Sequence, residues 1–169
     1  MLVLVGYATT HGSTREIAER LGMRLGAAGL HVDVRPMREI HGPSAYGAFV
    51  LGSAVHRQAW LPEAQDFVRL NGDLLGNRPV WFFSVGMPGA LRGPWKRMAY
   101  KEEPYITESL PGHVPFRRHW LLSGVIRPEH LSRAGRLLFR LMGCRFGDFR
   151  DWPGIDARAD QIACELLSR

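Results

Sequence analysis

Residues 2 to 8, Leu-Val-Leu-Val-Gly-Tyr-Ala, are apolar without alternation. A strand with apolar side chains on both faces must be covered on both, which is the situation of a parallel sheet between two layers of helices. The next residues narrow the choice. A polar stretch, Thr9 to Thr14, leads into Ile17, Ala18, Leu21, Leu25 and Ala28 at helical spacing, with Arg15, Glu16, Glu19, Arg20 and Arg24 between them and Gly29 at the end. That is strand, loop and amphipathic helix in succession, with Ser13 or a neighbouring Thr expected to open the helix.

The pattern recurs. Residues 30 to 36 alternate like an edge strand, and 48 to 53 (Ala-Phe-Val-Leu-Gly-Ser) read as a third, buried strand. Pro62 then starts a helix carrying Ala64, Phe67, Val68 and Leu70, and 80 to 85 form a fourth strand. Residues 87 to 116, with Pro88, Pro94, Pro104, Pro111 and Pro115, are too long for an ordinary connection and read as a functional insertion, partly helical around Pro94 to Lys101. Residues 119 to 126 restore a strand, Leu131 to Met142 form a basic amphipathic segment, and Asp151 caps a last helix with Ile155, Ala159, Ile162, Ala163 and Leu166 facing inward. Strands separated by helices predict a single α/β domain over 1–169: a doubly wound, five-stranded parallel sheet with helices on both faces.

Composition supports a packed core. The chain has 169 residues, 46% of them hydrophobic, enough to bury a core without disulfide or metal staples. Cys144 and Cys164 form neither a CxxC pair nor a zinc pattern, and a reducing compartment is the simpler reading. No apolar run reaches about 18 residues, and the N-terminus does not resemble a secretory signal, so a cytoplasmic chain is expected. The net charge of +6 is unevenly placed: residues 92 to 150 hold twelve basic against five acidic side chains, and the remainder ten against eleven. His56, His113, His119 and His130 lack metal-ligand spacing, so no metal is expected.

In doubly wound sheets ligands bind beyond the carboxyl ends of the strands. Three loops leave those ends here. The first, Thr9-Thr10-His11-Gly12-Ser13-Thr14, offers hydroxyls and backbone N–H groups at a helix N-terminus, which hold a terminal phosphate without a lysine. Neither GxxxxGK[ST] nor GxGxxG is present. The same residue types also make an ordinary helix cap. The second loop, from Ser53 through Ala54, Val55, His56 and Arg57 to Trp60, suits a planar heterocycle stacked on the indole, although Trp60 equally fits a hydrophobic staple. The third, Ser84-Val85-Gly86-Met87, adds a glycine where a backbone passes close to a ligand or merely turns.

Thr9-x-His11-Gly12-Ser13-Thr14 resembles the flavodoxin phosphate loop (S/T)-x-T-G-x-T, with His11 where Thr is usual. Thr14 to Ala18, Val50 to Val55, Gln65 to Val68, Phe83 to Val85, Ser123-Gly124 and Asp151-Trp152 are similar to the flavodoxin-like menaquinone-dependent protoporphyrinogen IX dehydrogenases. The resemblance spans nearly the whole chain and implies the strand order 2-1-3-4-5 with the insertion after strand four. It further implies FMN, with its phosphate on Thr9 to Thr14 and its ring between the 54–60 and 84–88 loops. No side-chain acid or base is required for such redox chemistry, because the flavin carries the electrons. The implied activity is an FMN-dependent oxidoreductase passing electrons from a reduced organic substrate to a quinone-type acceptor. Departures fall on the substrate side: His56-Arg57-Gln58 replaces a basic residue followed by Tyr and Gly, and the stretch from Met142 to Asp151 is short.

Two other readings stay open. One is an electron-carrier flavodoxin, which the basic net charge disfavours because such carriers are usually acidic. The other is a flavodoxin-fold binding module that has lost FMN. Arg117, Arg118 and Arg127 are candidates for pairing with carboxylates of a substrate. Arg133, Arg136 and Arg140 share a face of the 131–142 segment. Such a helix lies on an anionic membrane surface or packs on its own sheet, and the resemblance implies that the basic region 92–150 serves substrate access and peripheral membrane contact. No nucleic-acid motif is present.

Overall fold

The computed structural model describes residues 1–91, 105–106 and 114–168. The expected helix around Pro94 to Lys101, and most of the 87–116 insertion, lie outside the described residues. The described elements run β1 (Leu2–Ala8), α1 (Ser13–Ala27), β2 (His31–Pro36), β3 (Ala48–His56), β4 (Ala59–Trp60), α2 (Pro62–Leu70), α3 (Gly72–Gly76), β5 (Val80–Gly86), β6 (Arg118–Ser123), β7 (Val125–Ile126), α4 (Arg133–Leu141), β8 (Gly147–Asp148) and α5 (Trp152–Leu167).

Five strands pair side by side in the order β2-β1-β3-β5-β6, all parallel, and the two-residue β4 folds back antiparallel on β3. With β4 set aside, this is the flavodoxin-like order expected from the sequence. The continuous apolar runs have the expected cause. Val3, Val5, Val50, Trp81 and Phe83 face α1 and α5, whereas Leu4, Phe49, Leu51 and Phe82 face the side of α2 and α3. Each strand therefore feeds two separate cores, and most of the driving force comes from burying both.

Two boundaries differ from expectation. The predicted strand over 119–126 ends at Ser123: Gly124 donates its N–H to Gly86 O at 3.0 Å and accepts from Phe149 N–H at 3.2 Å, so the chain leaves the sheet there. Val125 and Ile126 instead pair antiparallel with Asp148 and Gly147. The start of α1 also differs. The N-cap is Gly12 at φ 93°, a left-handed conformation that disfavours any side chain, and neither Ser13 nor a threonine hydroxyl caps the helix. α5 begins as expected, with Asp151 accepting from Gly154 N–H at 3.1 Å.

α1 and α5 are clamped along their exposed flanks by Arg20 on Asp156 (2.6 Å) and Arg24 on Asp160 (2.8 Å). α4 is different. Phe139 turns inward, whereas Ala134, Leu137, Leu138 and Leu141 recur along an exposed face. Arg133 and Arg140 are exposed beside them, and Arg136 departs from the predicted three-arginine face: its Nε donates to Pro128 O (2.7 Å) and Leu131 O (3.1 Å).

Candidate functional site

A cleft of about 250 Å³ opens beyond the carboxyl ends of β1, β3 and β5. The first loop contributes Thr9, Thr10, His11 and Ser13, the end of β3 and its turn Ala54, Val55, His56 and Arg57, and the end of β5 Val85, Gly86 and Met87. The three loops chosen from the sequence thus meet in one place, because parallel pairing puts all their origins at the same edge of the sheet.

The first loop is folded by its own groups. Gly12 N–H donates to Thr9 Oγ1 at 3.0 Å, and the first helical bond runs from Glu16 N–H to Gly12 O at 3.1 Å. With no side chain capping α1, the backbone N–H groups of its first turn stay available, and the helix dipole adds a partial positive charge there. Thr14 is wholly buried, and its Oγ1 has no hydrogen-bond partner among the described residues. An unmatched buried hydroxyl costs about 1–3 kcal/mol. Thr14 Oγ1, the uncapped N–H groups and the neutral donors around them fit the phosphate end of a cofactor.

Histidines form the rim. Thr10 Oγ1 and His56 Nε2 lie 3.3 Å apart, joining the first loop to the second. His11 stacks on His130 with ring centroids 3.9 Å apart and planes 5° from parallel. Burial, and then the charge of His11 and of Arg127, hold the His130 imidazolium below its usual range, opposed by Glu129.

Five predicted site residues do not line the cleft. Gly12 is the left-handed N-cap of α1, and Thr14 is buried in the first turn. Trp60 is only 2% exposed, edge-on to Phe82 in the core beneath α2, and its Nε1 donates to Ser84 Oγ at 2.7 Å. Ser84, also 2.8 Å from His119 Nε2, is buried on that same face. Ser53 Oγ accepts from Leu61 N–H at 3.0 Å and donates to Ala54 O, closing the β3–β4 hairpin. Trp60 therefore offers no stacking face to a ligand.

The substrate-side arginines separate likewise. Arg118 opens β6, opposite Trp81 at the start of β5, so it and Arg117 sit at the amino edge, away from the cleft. Both pair with Glu165 of α5, at 3.6 and 3.3 Å, and Arg117 lies 5.5 Å over the Trp81 ring. Arg127 follows Ile126 beside the cleft, its N–H donating to His130 Nδ1 at 3.3 Å.

Sequence reasoning missed one whole wall: Gly124, Val125, Ile126, His130 and Leu131 also line the cleft. The chain reaches this wall because it leaves the sheet at Gly124, a break that the apolar run through Ile126 conceals. Nearby, Arg150 pairs with Glu16 and, at 2.6 Å, with Asp148, while stacking 4.6 Å over Trp152. That pairing fixes β8 against α1 and holds the Asp148 carboxyl below its usual range.

A doubly wound sheet with a phosphate-type loop after β1 and a cleft at the carboxyl edge defines a class, and comparison with known proteins gives the family. The flavodoxin domain profile matches residues 4–143, so the chain belongs to the flavodoxin domain family. It is 31% identical over 134 residues to the protoporphyrinogen IX dehydrogenase [quinone] of Escherichia coli, an alignment covering 78% of this chain and 66% of that protein. Rubredoxin oxygen:oxidoreductase from Desulfovibrio gigas superposes on 99% of the chain with a TM-score of 0.64, using 36% of its own length at 15% identity. A point mutant of flavodoxin from Pseudomonas aeruginosa superposes on 98% of the chain, over 99% of its own length, with a TM-score of 0.59 and 15% identity. Among the described residues no helix is long and apolar enough to cross a membrane, and no group of three His, Cys, Asp or Glu is placed to hold a metal.

Proposed function

We propose that the protein is an FMN-dependent oxidoreductase, similar to the protoporphyrinogen IX dehydrogenases, that passes electrons from a reduced organic substrate to a quinone-type acceptor. The observation that carries the reading is the first loop: an uncapped helix start behind a left-handed glycine, with the buried hydroxyl of Thr14 unmatched. In this reading Thr9, Thr10, Ser13, Thr14 and the first-turn N–H groups hold the phosphate. The backbone and side chains of 54–57 and 85–87 flank the ring, and Val125, Ile126 and Leu131 keep water from it. FMN supplies an electron-accepting and electron-donating ring, and the protein supplies binding, orientation and exclusion of solvent. No side chain in the cleft needs to serve as acid or base.

The relative's printed activity supports the quinone acceptor, and the net charge of +6 favours an enzyme over an acidic carrier. The exposed face of α4 supports peripheral membrane contact, where such an acceptor would be met: Leu137, Leu138 and Leu141 are 60–76% exposed, and Arg133 and Arg140 flank them for anionic headgroups.

The test is the visible absorption of the purified protein before and after adding FMN, with the released cofactor identified by mass. Stoichiometric FMN and quinone reduction on adding a reduced donor are expected. A protein that takes up no FMN overturns the reading. Co-sedimentation with phosphatidylglycerol vesicles, lost in Leu137→Ser with Leu141→Ser, is expected for the membrane contact, and wild-type protein left in the supernatant overturns it.

A further inference from the structure

A second cavity, of about 260 Å³, adjoins the cleft. Val55, Arg57, Gly86 and Met87 line both, so these four residues form the partition between them. Beyond the partition the described lining is largely apolar, with Leu91, Ile106 and Leu121 prominent. Leu91 and Ile106 belong to the long insertion after β5, so the insertion meets the site here.

The polar groups at this cavity, Arg57 and Gln58, are the two central residues of the β3–β4 turn. Both are left-handed, at φ 51° and 63°. A two-residue turn of this kind normally uses Asn and Gly, and a residue with a Cβ held there costs about 1 kcal/mol or more. The fold thus accepts strain to hold the Arg57 guanidinium at the partition and Gln58 beside it. The guanidinium is exposed to solvent. Arg20, Arg24, Arg117, Arg118 and Arg150 each meet a carboxylate, whereas Arg57 has no ion-pair partner among the described residues.

We propose that this cavity is a second binding subsite, for a one- or two-ring aromatic molecule bearing a carboxylate or similar anionic group that pairs with Arg57. The size sets the ring count, since the cavity lies below the usual range of ligand pockets, roughly 300–1,000 Å³. The lining sets the apolar body, and Arg57, the one cation among the described lining residues, sets the charge. As a seat for the redox partner of the cofactor, the subsite rests on the function proposed above, because only the partition separates the two cavities.

Binding of 2-naphthoate, a two-ring aromatic carboxylate, and of its neutral analogue 2-naphthamide is followed by fluorescence, with and without FMN. Arg57→Gln is expected to weaken the anion roughly tenfold and the neutral analogue by less than about threefold, the difference being one charge-assisted pair. Leu121→Trp, which fills the cavity, is expected to abolish binding of both while FMN still binds. Leu91→Trp fills the same space from the insertion and serves if Leu121→Trp fails to fold. Anion binding that survives both filling variants, or that disappears in Leu137→Ser with Leu141→Ser on α4, overturns the subsite. Probe binding that follows the cavity variants in a protein taking up no FMN upholds the subsite and overturns the proposed redox function instead.

Discussion

The two edges of the sheet differ in what several of their polar groups meet. At the amino edge, Arg117 and Arg118 share Glu165, and the neighbouring helices are clamped by Arg20 with Asp156 and Arg24 with Asp160. At the carboxyl edge, α1 starts uncapped, Thr14 Oγ1 is buried without a partner, Arg57 is unpaired among the described residues, and Gly12, Arg57 and Gln58 are all left-handed. Charge at the first edge is satisfied by the fold. At the second, the Thr14 hydroxyl and the Arg57 guanidinium have no partner among the described residues, and the turns that carry Gly12 and Arg57 are held at a conformational cost.

Substitutions can break that contrast. The largest effect is expected from Trp60→Phe, which removes the Nε1 bond to Ser84 and leaves a void under α2: stability should fall by about 2 kcal/mol in denaturant titration, with FMN affinity unchanged. A loss of affinity without loss of stability would return the indole to the site. Thr14→Val is expected to act in the reverse sense. FMN binding, followed by flavin fluorescence, should weaken about tenfold, while the FMN-free protein keeps or gains up to about 1 kcal/mol because an unmatched hydroxyl is gone. Arg117→Ala with Arg118→Ala should cost under about 1 kcal/mol, as expected of partly exposed pairs, and leave both FMN affinity and quinone turnover alone. A drop in turnover would show that the amino edge is functional after all.

The smallest effect concerns pH. His130 is held below its usual range in the folded protein, so the unfolded chain binds more protons and stability rises with pH across that interval. Thermal stability should decline as pH falls through about 6.5, and His130→Gln should flatten that part of the profile. An unchanged slope would mean that the imidazole stack carries none of the dependence.

Much of this was readable in the chain. Continuous apolar runs reported strands covered on both faces, and helical spacing reported α1 and α5. Three loops converge because parallel strands share a direction. The readings that failed had signals of their own. Ser84 follows Phe83 and shares the parity of Phe82, which assigns its side chain to the α2 face, and Ser53 lies beside it in register. A strand that starts near residue 118 must carry Arg117 and Arg118 at its amino edge. His130 had no such signal, since its meeting with His11 depends on the exit at Gly124. The outward turn of the α4 leucines was likewise undecided, because hydrophobic spacing defines a stripe without saying what it faces.

Gly124 also acts as a spacer. A methyl group there would lie 2.9 Å from Val85 Cγ1 and 3.0 Å from Ser13 Oγ, so the gap between the first loop and the far wall is set by the width of a hydrogen atom. Any side chain at 124 would wedge the two apart and re-aim the Ser13 hydroxyl without touching a ligand. The bore of the cleft is in this sense gauged by a residue with no functional group, and if the cleft holds FMN as proposed, the fit of that cofactor is open to retuning from this one position.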